Sequence, residues 1–383
     1  MAQENDVRLD ADRIEGVAHP RETGCLLGHS APEARFLDAW RSGRPHHAWL
    51  LRGPRGVGKA SFAYRVARFL LTQPNADGGG LFAESSPAPA AATLDPDPGH
   101  FADPTAVLAR IAAGGHPGLL EVRRPWDERA KRFKKEISVD QVRRLIEFFQ
   151  LSSADGGWRV AIVDPADELN TAAANALLKV LEEPPEKAMF LLVAHAAGKL
   201  PATIRSRCRR LDFRPLEISD CVSALTTACP ELSDAEARVL CVLSDGAPGD
   251  AATLWSMGGA DLYLEVLDLF SDLPNIDRRR LQKFSQVVSS RDSADRFPAA
   301  GRLMRLAAER LARAGVEGPP ADLATPKESE ILTRLSPDAR SAQRWAEISS
   351  EIADRFGAAV GLNLDPHRTL LDLARYLESA ARR

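Results

Sequence analysis

Cysteine is scarce in this sequence. There are five in 383 residues, Cys25, Cys208, Cys221, Cys229 and Cys241, an odd number with no CxxC pair. That spacing argues against a disulfide framework and a zinc ribbon, and a reducing cytoplasm is the expected compartment. No run of 18 apolar residues occurs, and the opening MAQENDVRLDADRIEG is acidic rather than basic-then-apolar. Neither membrane insertion nor secretion is therefore expected. An excess of one charge is lacking too: 50 Lys and Arg against 53 Asp and Glu leave a formal charge of −3. An autonomous DNA binder would be strongly basic, so any nucleic-acid contact should be local or shared with partners. What is present is ordinary globular material, 44% apolar and 27% charged, in a chain too long for one hydrophobic core.

Residues 47 to 213 alternate strand and helix signals. HHAWLLRG reads as a strand ending in glycine, and the segment after Lys59 has helical apolar spacing through Phe62, Val66, Phe69 and Leu70. Residues 72–115 are rich in Pro, Ala, Gly and Asp and read as an inserted loop, with a short helix at TAVLARIAA. GLLEVR, WRVAIVD and AMFLLVAH then read as strands, separated by a helix at 139–150 and by TAAANALLKVLEE, which Pro184 and Pro185 stop. Beyond Pro215 only helical periods remain. The expected fold is an α/β P-loop parallel-sheet domain at 1–213, a small helical lid at 214–258 and an all-α domain at 259–383.

Gly53, Pro54, Arg55, Gly56, Val57, Gly58 and Lys59 match GxxxxGK between a strand and a helix. In that setting backbone N–H groups and a helix N-terminus can cradle phosphates while the lysine offsets their charge. The next position should carry a hydroxyl to ligate magnesium, and it is Ala60; Ser61 points about 100° further around the helix. Hydrolysis also needs an Asp that orders the metal and an adjacent Glu that polarises water. VAIVD supplies Asp164, as a metal contact or a plain strand-end acid, but Pro165 follows it, and Asp167 and Glu168 lie further on. Two catalytic positions are lost together, as expected of a fold kept without hydrolysis.

NALLKVLEEPP at 175–185, FLLVAH, and then Ser206, Arg207 and Cys208 in SRC resemble bacterial clamp-loader subunits of DNA polymerase III, the tau/gamma and delta-prime proteins of the AAA+ class. LLGH at 26–29, HHA at 46–48, HPGLL at 116–120 and ISVDQVRRL at 137–145 add to a likeness that covers residues 25 to 215. The resemblance implies a hetero-oligomer with tau/gamma and delta subunits, a sliding clamp and primer-template DNA as partners, no membrane, and a C-terminal collar. Within the group the defective loop favours delta-prime, as does Gly249 where the motor subunits have a nucleotide-sensing Arg. An ATP-hydrolysing motor and, further off, a P-loop kinase are the alternatives.

The resemblance further implies that Arg207, preceded by Ser206, faces ATP bound by a neighbouring subunit and serves there in trans as an arginine finger. A guanidinium suits the task because it stays charged and presents a planar fork of donors. Gly53, Gly56, Gly58, Lys59 and Asp164 would form a degenerate nucleotide site, where ATP or ADP could be held without hydrolysis and no cofactor is required. Some relatives carry four zinc-binding cysteines after the first helix, but residues 72–120 contain none, so no metal is expected; His100 and His116 read as loop residues. Cys208 reads as a buried apolar side chain, and His46 and His47 as structural or adenine-pocket residues. RRPWDERAKRFKKE, with Trp126 and Phe133 among its cations, reads either as a solvated basic loop or as a DNA contact with a stacking ring.

Overall fold

The computed structural model describes residues 13–24, 26–43, 45–73, 93–94, 104–150, 157–289 and 296–382. Cys25, His100 and most of the 72–115 insertion lie outside the described residues. The chain forms two compact units, one comprising residues 1–224 with 247–249, the other 225–246 with 250–383.

The first unit is built on a five-stranded sheet of β1 (Ala48–Arg52), β2 (Leu119–Val122), β5 (Arg159–Val163), β6 (Ala188–Ala194) and β7 (Arg209–Asp212). Its order is β2-β5-β6-β1-β7, and every neighbouring pair is parallel. The strands that read as continuous apolar runs are those buried on both faces. Alternate residues divide between two cores. Trp49, Leu51, Val160, Ile162, Leu191 and Val193 face one way, where Phe36 of α1 (Ser30–Arg41) and Phe62 and Val66 of α2 (Lys59–Leu71) pack. The short helix expected at TAVLARIAA is α3 (Pro104–Ala112), whose Ile111 joins the same core.

On the opposite face Leu50, Ala161, Val163, Phe190 and Leu192 meet Leu145 of α4 (Val139–Gln150), Leu177 of α5 (Thr171–Glu182) and Ile204 of α6 (Ala202–Arg207). Each fully buried Leu, Ile, Val or Phe among them contributes about 1.5–3 kcal/mol. Because all five strands run the same way, the segments after β1, β2, β5 and β6 leave from one edge of the sheet.

The basic segment after β2, read from sequence as a solvated loop or a DNA contact, holds a short hairpin. β3 (Trp126–Asp127) and β4 (Arg132–Phe133) pair antiparallel, with Trp126 opposite Phe133 and Asp127 opposite Arg132. The Asp127 carboxylate accepts the backbone N–H groups of Arg129 and Ala130, both at 3.0 Å, and closes the turn as an Asx turn does. The same bonds, that from Ala130 foremost, hold its carboxyl below the usual carboxylate range. Trp126 and Phe133 pack edge to face at 5.0 Å beneath it.

Among the described residues everything beyond β7 is helical. After α7 (Ile218–Ala228) come α8 (Asp234–Leu243), α9 (Pro248–Ser256), α10 (Gly259–Ser271), α11 (Arg278–Val288), α12 (Arg296–Glu317), α13 (Pro326–Leu335), α14 (Ala339–Gly361) and α15 (Pro366–Ala381). A buried polar node pins α10, α12 and α13 in the second unit. Glu328, 1% exposed, accepts the Tyr263 hydroxyl at 2.7 Å, the Arg310 guanidinium, and the Ala324 backbone N–H at 2.8 Å. Arg310 also donates to the Asp322 carbonyl at 2.9 Å. Removing one member of such a pair strands a buried charge. Glu328→Ala should therefore lower stability by about 3–5 kcal/mol, read as an earlier urea unfolding transition for the second unit.

Candidate functional site

The phosphate loop occupies the β1–α2 turn. Gly53 has φ 151°, and a Cβ there would sit 2.2 Å from the Phe213 carbonyl oxygen, so only glycine allows the loop to leave β1 beside the chain that follows β7. Lys59 is 2% exposed, and its Nζ donates to the Gly53 carbonyl at 2.8 Å and to the Pro54 carbonyl. His29, 4% exposed, meets the Val57 carbonyl through Nε2 at 2.5 Å. A carbonyl can only accept, so Nε2 carries the proton, and burial lowers the His29 pKa and keeps the ring neutral.

The fourth bond comes from Gly249, in the first turn of α9. Gly249 donates its backbone N–H to the Gly56 carbonyl at 2.8 Å. A Cβ at Gly249 would lie 3.0 Å from the Gly56 Cα and 3.1 Å from its carbonyl oxygen. Read from sequence as the loss of a sensing arginine, this glycine also permits backbone to lie on backbone. Four carbonyls of the loop, those of Gly53, Pro54, Gly56 and Val57, are thus bonded to the chain's own groups.

At the carboxyl end of β5, the Asp164 N–H donates to the Val122 carbonyl at 3.0 Å. The two acids after Pro165 are both engaged. Asp167 accepts the backbone N–H groups of His195 at 2.9 Å and Ala196 at 3.1 Å, tying the segment after β5 to the one after β6. Glu168 pairs with Arg124 at 2.9 Å, and burial, ahead of that pair, sets the direction of its pKa, which is raised. Sequence reasoning treated Asp167 and Glu168 only as misplaced catalytic acids. Their structural roles depend on contacts 28 and 44 residues away, which leave no local signature.

The SRC residues form a separate place at the end of α6. Arg207 donates to the Thr203 carbonyl at 3.0 Å and pairs with Glu182 at 2.6 Å, with 36% of its side chain exposed. Ser206 is exposed and donates to the same Thr203 carbonyl at 3.0 Å. Glu182 was not singled out from sequence, although it stands in the LEEPP motif. Cys208 is buried, and desolvation pushes its thiol up to about 12, which disfavours the thiolate. His47 bonds the Leu181 carbonyl at 3.0 Å and stacks on His46. Among the described residues no cluster of three or more His, Cys, Asp or Glu is arranged to hold a metal, and no helix is long and apolar enough to cross a membrane.

Residues 28–217 match the family model described as DNA polymerase III, delta subunit. The DNA polymerase III subunit delta' of Pseudomonas aeruginosa is 32% identical over 222 residues, 58% of this chain and 60% of the relative. That of Escherichia coli is 30% identical over 221 residues, 58% of each chain. The E. coli DNA polymerase III subunit tau is 32% identical over 202 residues, 52% of this chain and 26% of the relative. The chain spans at most about three fifths of the length of these curated relatives.

The Gly249 contact is open to test. A Cβ at 3.0 Å from the Gly56 Cα makes that backbone give by a few tenths of an ångström, while alanine gains about 0.5–1 kcal/mol over glycine within a helix. The two effects oppose, so Gly249→Ala should change stability by no more than about 1 kcal/mol by urea denaturation, and Ser206→Ala, which deletes one exposed hydroxyl, should leave the curve within about 0.5 kcal/mol.

Proposed function

We propose that this chain, whose residues 28–217 match the family model described as DNA polymerase III, delta subunit, acts as a delta-prime-type clamp-loader subunit, a scaffold that does not itself hydrolyse ATP. The observation that carries the reading is chemical. Ala60 replaces the metal-ligating hydroxyl and Pro165 the water-polarising carboxylate, while Asp167 and Glu168 are engaged by backbone N–H groups and by Arg124. The intact GxxxxGK loop leaves room in the proposal for ATP or ADP held without turnover, its cradle being Gly53, Gly56, Gly58 and Lys59 with Asp164 nearby.

In this reading the chain is a cytoplasmic member of a hetero-oligomer with tau/gamma and delta subunits that places a sliding clamp on primer-template DNA. The α/β domain at 1–213 presents the finger, 214–258 is the lid, and 259–383 is the collar through which the subunits assemble. Arg207 is lent to ATP held by the adjacent motor subunit, with Ser206 beside it. Its partial exposure and its mooring to Glu182 support that role, because a pair 36% and 49% exposed contributes at most about 1 kcal/mol and is easily exchanged for a phosphate.

Arg207→Ala should leave the isolated chain folded but sharply lower the DNA- and clamp-stimulated ATPase of the reconstituted complex. An arginine supplied in trans is worth on the order of a thousandfold at the site it serves, and Arg207→Lys should not restore it, since an ammonium lacks the fork. An unchanged rate in the Ala variant would remove the assignment.

A further inference from the structure

The β3–β4 hairpin is a concentrated positive feature on a chain of net charge −3. Residues 128–135, the turn and its return strand, hold Arg129, Lys131, Arg132, Lys134 and Lys135 against one acid, Glu128. All five cations are exposed, and among the described residues Arg129, Arg132, Lys134 and Lys135 make no ion pair, while Lys131 pairs with Glu128 at 3.4 Å. The scaffold beneath them is fixed by the Asp127 turn, the Trp126–Phe133 ring pair and a Lys134 N–H to Pro125 carbonyl bond of 3.0 Å. Arg124, at its base, is anchored on Glu168. The hairpin leaves β2 at the same sheet edge as the phosphate loop leaves β1.

We propose that this hairpin is a docking surface for the sugar-phosphate backbone of DNA, which it grips without reading sequence. Two observations favour a polyphosphate over an acidic protein surface. A protein interface draws its affinity from buried apolar anchors, and here the two rings are half-buried against each other, while the exposed large hydrophobic residues, Leu264, Val316, Val360, Leu362 and Leu364, all lie elsewhere. Several Lys and Arg side chains on a rigid turn suit evenly spaced phosphates, where each contact releases counterions. The same ring pairing argues against base stacking by Trp126 or Phe133, because each ring already packs on the other. The proposal takes its choice of DNA from the clamp-loader reading, and the hairpin geometry stands apart from it.

The test is fluorescence anisotropy of a fluorescein-labelled primer-template DNA titrated with the full chain across a NaCl series. The comparison variant carries Arg129→Gln, Arg132→Gln, Lys134→Gln and Lys135→Gln, and circular dichroism checks its fold. Each lost phosphate contact flattens the plot of log affinity against log salt by about 0.9. The four changes should flatten it by about 2 or more and weaken binding at least tenfold at low salt. A variant with Arg279→Gln and Arg368→Gln, exposed cations of the helical unit, should match the unaltered chain. No binding by the unaltered chain, an unchanged slope in the fourfold variant, or loss of sliding-clamp capture with DNA binding intact would each overturn the proposal. A flattened slope alongside a failure of the chain to assemble with tau/gamma and delta subunits would sink the clamp-loader reading and leave the hairpin site standing.

Discussion

The arrangement of the first unit depends on how the loop between Gly53 and Gly58 satisfies its own backbone. Lys59 bonds two of its carbonyls, His29 a third and the Gly249 N–H a fourth. These bonds tie the loop to the start of α2, to His29 and to Gly249. A loop shaped to cradle phosphate serves here as a clasp as well. It keeps the GxxxxGK spacing, while Ala60 and Pro165 stand where the proposed reading looks for a hydroxyl and a carboxylate.

The sheet explains why chemistry collects where it does. Five parallel strands send the phosphate loop, the Asp164 segment, the basic hairpin and the His195 turn to one edge, and Asp167 staples two of those segments together. Arg207 lies at the end of α6, a different element from the phosphate loop, and is moored on Glu182. The proposed division of labour follows from that separation: the chain's own site is clasped, and the guanidinium is the group left able to act elsewhere.

Much of this was legible in the sequence, for identifiable reasons. Strands buried on both faces read as apolar runs such as AWLL and AMFLLVA, and glycine spacing marks the turn between β1 and α2. The hairpin was not legible, because its strands are two residues each and its turn depends on one Asp127 carboxylate. Nor were the contacts of Asp167, His29 and Glu328, whose partners lie 28, 28 and up to 65 residues away, beyond any local periodicity. Gly249 was read as a missing arginine, and the structure adds why a side chain is unwelcome there.

The central claim is that a phosphate loop persists here without the power to hydrolyse. Its most direct test is steady-state release of inorganic phosphate from ATP and magnesium by the purified chain alone, alongside its Lys59→Ala variant. The account predicts that both stay at the background of protein-free buffer. Robust turnover by the unaltered chain, abolished in the Lys59→Ala variant, would contradict it.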